Sequence, residues 1–141
     1  YPAWRRPRPH RTTGGTPSTL DFYQTLTQNA VYTGAFSNTV VNGMHLTRIG
    51  NIVTCSLEGN LVVAGSTDNL VIAAFPSAFR PTGINVFRFS IHVSLNAVYS
   101  IGTAVVDPNG VITIYANAGS GSFTSGDTVG LLAKVAFTWI I

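Results

Sequence analysis

The chain has 141 residues, of which 45% are hydrophobic and only 9% are charged, and it contains a single cysteine. That length suits one domain with its own buried core, and one cysteine excludes an intrachain disulfide or a cysteine metal cluster. Soluble domains usually carry about 25% charged residues. Because subunit interfaces are depleted of charge, this composition predicts burial against copies of the same chain. The alternative is a monomer covered by Ser, Thr and Asn.

The first 19 residues are predicted to form an extended arm and a hinge. Arginine and proline alternate in Tyr1–Arg11, and proline opposes regular strand pairing and favours an extended path. Thr12–Thr19 contains two glycines and a proline, which is typical of a hinge. The arm holds four of the eight basic residues, whereas the rest of the chain has four basic and five acidic residues and is almost neutral.

A basic arm of this kind usually has a polyanionic partner, most often nucleic acid. The arginine fork donates paired hydrogen bonds to phosphate, and a neighbouring aromatic ring can stack on an unpaired base. Such binding would be non-specific and would weaken with salt. The alternative is an arm that wraps a neighbouring subunit. The candidate contact residues for either role are Trp4, Arg5, Arg6, Arg8 and Arg11.

Residues 20–141 are predicted to form an all-β body. Apolar residues do not recur at helical spacing, and β-branched residues dominate short runs that are separated by Gly, Asn, Asp and Pro. About 8–10 short antiparallel strands with tight turns favour a sandwich or barrel, and we expect a single jelly-roll β-sandwich. No apolar run approaches the roughly 20 residues of a membrane-spanning helix.

The clearest strand signal is Val86–Leu95, in which apolar and polar residues alternate. Successive side chains of a strand point to opposite faces. We therefore expect Phe89 and Ile91 to be buried, with Arg88 and His92 on the opposite face.

Two Asn-Gly pairs mark candidate hairpin turns, because asparagine and glycine accept the positive φ angles that such turns need. Asp107–Gly110 is a strong signal and Asn42-Gly43 a weaker one. The apolar strand Val135–Ile141 would risk aggregation at an exposed edge. We therefore expect it in the centre of a sheet or beneath a neighbouring subunit.

No residue pattern indicates catalysis, so the chain is predicted not to be an enzyme and to need no cofactor or metal. His45 and His92 lie on separate predicted strands, without the spacing of a zinc site. Cys55 lies in an apolar run and is expected to be a small buried side chain. Asp107 and Asp127 fit turns.

Four motifs between Met44 and Trp139 resemble the trimeric heads of phage tail fibres. Leu46–Thr54 resembles their opening strands, Phe75–Pro81 their proline–aromatic–arginine–proline turn, and Asp107–Ile114 their Asp-x-x-Gly hairpin, while Trp139 matches a tryptophan in the last strand. Those heads are jelly rolls similar to the trimeric tumour-necrosis-factor and complement-type domains. The resemblance implies the same fold and a trimeric assembly.

The arm departs from this resemblance, because fibre heads follow a shaft and carry no basic arm. Arginine-rich arms before a jelly roll resemble instead the coat proteins of small icosahedral viruses, whose arms face the packaged genome. The preferred interpretation is a viral capsid protein that assembles in the host cell into the virion shell. A trimeric fibre head that binds a host receptor is the first alternative, and a non-viral trimeric ligand-type domain is the second.

Overall fold

Ten β-strands make up the fold, in a computed structural model that describes residues 23–36, 40–131 and 134–141. The strands are β1 (Tyr23–Gly34), β2 (Val40–Ile49), β3 (Ile52–Leu57), β4 (Asn60–Val63), β5 (Leu70–Ile72), β6 (Phe87–Leu95), β7 (Val98–Val106), β8 (Ile112–Tyr115), β9 (Thr128–Leu131) and β10 (Val135–Ile140). Within those ranges the helical content is one 3-10 turn, Ser77–Phe79. The all-β prediction is confirmed, and the predicted arm and hinge lie outside the described residues.

The strands form one hydrogen-bonded series in the order β10-β3-β2-β1-β5-β8-β7-β6-β9-β4. All the neighbouring pairs are antiparallel. Strands β6, β7 and β8 follow one another and β9 returns beside β6, which is a Greek-key arrangement. The series nearly closes, because the ring of Phe137 on β10 stacks 5.0 Å from that of Phe89 on β6. The predicted sandwich is therefore one sheet that curls around its own core.

Alternation along each strand sends one set of side chains into that core. On β3, for example, Val53, Cys55 and Leu57 are buried and the residues between them are more exposed. The largest fully buried side chains are Trp139, Tyr32, Phe75, Phe123, Met44, Leu46, Leu57, Leu70, Ile72, Ile112, Ile114 and Leu131. They belong to one continuous cluster, so both halves of the series share a single hydrophobic core.

The alternation predicted for β6 is confirmed, with one correction. Ile91 is buried, and Arg88 and His92 are exposed on the opposite face. Phe89, however, is only half-buried. It lies where β6 meets β10 without a hydrogen-bonded ladder, so part of its ring remains open to water.

The Asp107–Gly110 turn is confirmed. The Asp107 carboxylate accepts hydrogen bonds from the backbone N–H groups of Asn109 (2.8 Å) and Val111 (3.1 Å), and the Gly110 N–H donates to the Asp107 carbonyl at 2.9 Å. The positive φ of 79° falls on Gly110. The turn predicted at Asn42-Gly43 is wrong, because both residues lie inside β2, where they pair with β1.

The last strand is not in the centre of the sheet, so that part of the expectation is wrong. β10 pairs with β3 alone and ends the series of strands. Its alternation nevertheless holds, since Phe137 and Trp139 are buried and Ile140 is exposed. The free edge of β10 faces β6.

A strained two-residue turn joins β6 and β7. Leu95 pairs with Val98, and both residues between them have positive φ, 53° at Asn96 and 64° at Ala97. The Asn96 amide bonds to the Asp127 carboxylate and to the Thr128 N–H, both at 2.8 Å. Ala97 has no side-chain hydrogen bond to offset the left-handed conformation, which costs an L-residue about 1–2 kcal/mol.

Replacing Ala97 by glycine is therefore expected to raise the free energy of unfolding by about 1 kcal/mol, because glycine adopts positive φ without strain. Chemical denaturation followed by circular dichroism measures the change. Ala73→Gly is the matched control, because Ala73 is exposed but does not have positive φ. It should be neutral or destabilising. A decrease in the free energy of unfolding for Ala97→Gly would show that the positive φ of Ala97 does not strain the turn.

Candidate functional site

Four exposed apolar side chains form a row across four neighbouring strands. Register pairs Tyr23 with Ile49, Ile49 with Ile52, and Ile52 with Ile140. Residues directly opposite each other on paired strands share one face of the sheet. The side chains are 63%, 52%, 52% and 61% exposed, respectively, on the outer surface. The row joins the ends of β1, β2, β3 and β10.

Two further rows on the same face contain uncharged polar side chains, apart from Ala136. The second row is all threonine, with the Oγ1 atoms of Thr54 and Thr138 3.1 Å apart. The third row includes His45, whose Nδ1 lies 3.0 Å from Thr27 Oγ1. We call the three rows the neutral face. Its residues are Tyr23, Thr25, Thr27, His45, Thr47, Ile49, Ile52, Thr54, Ser56, Ala136, Thr138 and Ile140.

The neutral face contains no Asp, Glu, Lys or Arg. Among the described residues, the nearest carboxylate is that of Glu58, which lies at the border of this face, 3.9 Å from His45 Nε2 and against Gly43. A contiguous apolar patch rimmed by polar residues marks interaction surfaces in soluble proteins, and charge is depleted at the centre of subunit contacts. The arrangement suits a protein partner better than a small charged ligand.

The motifs that carry the resemblance to fibre heads meet in one place, around the turn Phe75–Pro81. The indole Nε1–H of Trp139 donates to the Phe79 carbonyl at 2.8 Å, and Nη1 of Arg48 donates to the Ala78 carbonyl at 2.7 Å. Arg80 Nε donates to the Phe75 carbonyl at 2.6 Å. We call these residues, with Gly110, the turn cluster.

Gly110 joins the turn cluster through its backbone. Its carbonyl accepts the Phe75 N–H at 3.2 Å, and the Arg80 side chain packs so closely over it that a Cβ there would lie 2.7 Å from Nε. The Phe75 ring also lies 5.5 Å from the Trp139 ring. Four motifs that are far apart along the chain therefore form one structural unit.

The histidines and the cysteine considered for chemistry are kept apart. Cys55 lies in the core, whereas His45 lies on the outer face of the neighbouring strand. Burial disfavours the thiolate and raises the pKa of Cys55 to about 12, so its thiol stays protonated at neutral pH. Among the described residues, no group of three or more His, Cys, Asp or Glu could hold a metal ion.

The predicted arm contacts, Trp4, Arg5, Arg6, Arg8 and Arg11, lie outside the described residues, and their role stays a prediction. The part of the chain that the structure describes contains no helix with the length and apolar character needed to cross a membrane.

The chain was compared with known proteins. No family model matches it, and no curated protein matches it. Among solved structures it is similar to the reovirus attachment protein sigma1, which was crystallised in complex with alpha-2,3-sialyllactose, with 12% sequence identity and a TM-score of 0.47. The similarity covers 84% of this chain and 65% of that chain. No function follows from a likeness of this degree.

Proposed function

We propose that this chain is a structural protein of a virion that works as a symmetric oligomer of identical subunits. The row of Tyr23, Ile49, Ile52 and Ile140 on the neutral face carries this proposal. Four large apolar side chains lie side by side, and covering them with a second copy would remove their surface from water. No charge would be buried in the process, so the usual cost of desolvating ions does not arise.

The form of oligomer that the geometry supports best is the trimeric head of a fibre, which presents a receptor-binding surface. This choice depends on the turn cluster. Separate turns and strands recur in many β-domains, but Arg48, Phe75–Pro81, Gly110 and Trp139 contact one another through specific hydrogen bonds. In a cyclic trimer the three neutral faces would surround the axis.

A capsid coat protein is the second candidate, and the arginines of the arm favour it. In a shell, Arg5, Arg6, Arg8 and Arg11 would face the packaged nucleic acid, and the neutral face would form one of the contacts between neighbouring subunits. Both forms place the protein in the virion, and they differ in the number of copies and in what the arm contacts.

The mass of the full-length chain in solution tests the proposal and separates its two forms. Sedimentation or light scattering should give three chains of 15.0 kDa for a fibre head and a megadalton particle for a shell. A mass of one chain across micromolar concentrations would overturn the proposed function in both forms.

Removal of residues 1–11 separates the roles of the arm. For a capsid protein we expect the deletion to lower the amount of nucleic acid in the particles. For the full-length chain, a plot of the logarithm of the binding constant for a single-stranded target against the logarithm of the salt concentration should have a slope no steeper than about −3 per arm, because each of the four arginines contributes about −0.7. Equal packaging with and without the arm would indicate a clamp between subunits. A free trimer whose mass is unchanged by the deletion would favour the fibre head.

A further inference from the structure

A groove lies at the seam where the curled sheet fails to close. Beyond its pairing with β7, β6 pairs with β9 only at Ser94 and Leu95, and β10 pairs with β3 alone. In the described part of the chain, the edge of β6 before Ser94 and the outer edge of β10 therefore have no strand partner. The seam groove has a volume of about 270 Å³, and its lining residues are Ser90, Ile91, His92, Tyr99, Lys134, Val135 and Ala136.

The lining combines an apolar floor with a few polar groups. Ile91 is buried and Val135 is half-buried, whereas Ser90, His92 and Lys134 are exposed. The phenol ring of Tyr99 is 62% exposed and meets the His92 ring edge-on, with 6.3 Å between the ring centres. Small-molecule sites typically have this composition, in which apolar surface supplies affinity and a few polar groups fix the orientation.

The groove has one positively charged lining residue, Lys134, and no carboxylate lines it. Glu58 comes directly after β3, whose last residue, Leu57, pairs with Val135. Its carboxylate packs over Gly43, on the far side of β3 from β10. No carboxylate of the described residues forms an ion pair with Lys134, so its ammonium group remains available to an anion.

From these features we infer that the seam groove binds an acidic sugar unit, a six-membered ring that carries a carboxylate. The volume suits a single ring and is too small for a folded peptide segment. The face of Tyr99 offers a flat apolar surface to the C–H groups of the ring, and Ser90 and His92 can hydrogen-bond its hydroxyl groups. Lys134 pairs with the carboxylate as a single charge. The groove has no arginine fork of the kind that favours phosphate.

The seam groove can be tested separately from self-association. It shares Ala136 with the third row of the neutral face, but it lies at the start of β10, whereas Ile140 of the apolar row lies at the other end of that strand. At about 3.3 Å per residue, the four residues from Ala136 to Ile140 span roughly 13 Å.

Nuclear magnetic resonance titration of the full-length protein is the test, with glucuronic acid and N-acetylneuraminic acid as the two acidic probes and glucose as the neutral one. We expect shifts at the backbone amides of Ser90, Tyr99 and Val135 with an acid at millimolar concentration, and at least a fivefold weaker response to glucose. The acid that binds more tightly shows whether the natural ligand is a chain that contains uronic acid or one that contains sialic acid. Equal binding of glucose, or no shift with either acid, would overturn the inference.

Variants make the assignment specific to the seam groove. Tyr99→Ala and Lys134→Ala should each weaken acid binding at least fivefold, whereas Tyr99→Phe should retain it. Tyr23→Ala is the matched control, because Tyr23 is 63% exposed and lies on the neutral face. It should leave sugar binding unchanged even where it weakens assembly. Loss of sugar binding in Tyr23→Ala, with binding intact in Tyr99→Ala, would place the site elsewhere and overturn the inference.

Discussion

Replacement of Trp139 by alanine is expected to lower the free energy of unfolding by about 3–5 kcal/mol, the range for removing a large buried aromatic side chain. Trp139 is almost fully buried, with its ring 5.5 Å from that of Phe75 and 6.0 Å from that of Phe137. The substitution would leave a cavity at the turn cluster. It would also leave the Phe79 carbonyl without its indole donor, which adds the cost of an unsatisfied buried acceptor.

Two further variants separate packing from hydrogen bonding in the turn cluster. Trp139→Phe keeps an aromatic ring but loses the indole N–H. Its free energy of unfolding should therefore lie between those of the wild type and Trp139→Ala. Ile84→Ala is the control, because Ile84 is an exposed apolar residue outside the neutral face, and it should change stability by less than about 0.5 kcal/mol. Equilibrium denaturation measures all three. Equal stability of Trp139→Ala and Ile84→Ala would show that the turn cluster does not hold the fold.

Introducing lysine at Ile52 should abolish self-association. Ile52 lies between Ile49 and Ile140 in the apolar row, so a subunit contact at the neutral face would bury the new charge without a partner. An uncompensated buried charge costs about 3–5 kcal/mol, and about 1.4 kcal/mol corresponds to tenfold in affinity. Each contact should therefore weaken at least about a hundredfold.

Val86→Lys is the matched control for this prediction. Val86 is 51% exposed and Ile52 is 52% exposed, so we expect the isolated subunit to tolerate lysine similarly at both positions. Val86 lies outside the neutral face, just before β6. Sedimentation velocity gives the mass of each variant, and circular dichroism checks that both are folded. If Ile52→Lys assembles like the wild type, the neutral face is not the subunit contact.

The sequence predicts those parts of the fold that depend on local pattern. Alternation in Val86–Leu95 correctly assigns the faces of Ile91 and His92, and the Asp-Pro-Asn-Gly turn appears where it is expected. The pattern fails at Asn42-Gly43, because the long pairing of β2 with β1 overrides a local turn preference. It also misjudges Phe89, since alternation along one strand does not reveal that the sheet stops short of closure beside it.

The neutral face could be predicted only in part. The low charge content indicates a subunit contact but not its position. Ile49 and Ile52 flank a short turn and could have been paired from the sequence, but Tyr23 and Ile140 come from distant strands, and only the register of the sheet brings them together. Read singly, each of these residues resembles a core position. The capsid interpretation depends on an arm outside the described residues and stays a prediction.

The position of β10 also has a consequence for synthesis of the protein. β3 pairs with β10 through residues about 80 to 90 positions later in the chain, such as Val53 with Trp139, and contacts so distant in sequence slow folding. Until β10 has been translated, β3 has an open edge and the turn cluster lacks its tryptophan. Because Ile140 also completes the apolar row, an unfinished chain lacks a full contact surface. In the proposed oligomer, both the fold and the subunit contact would therefore depend on β10.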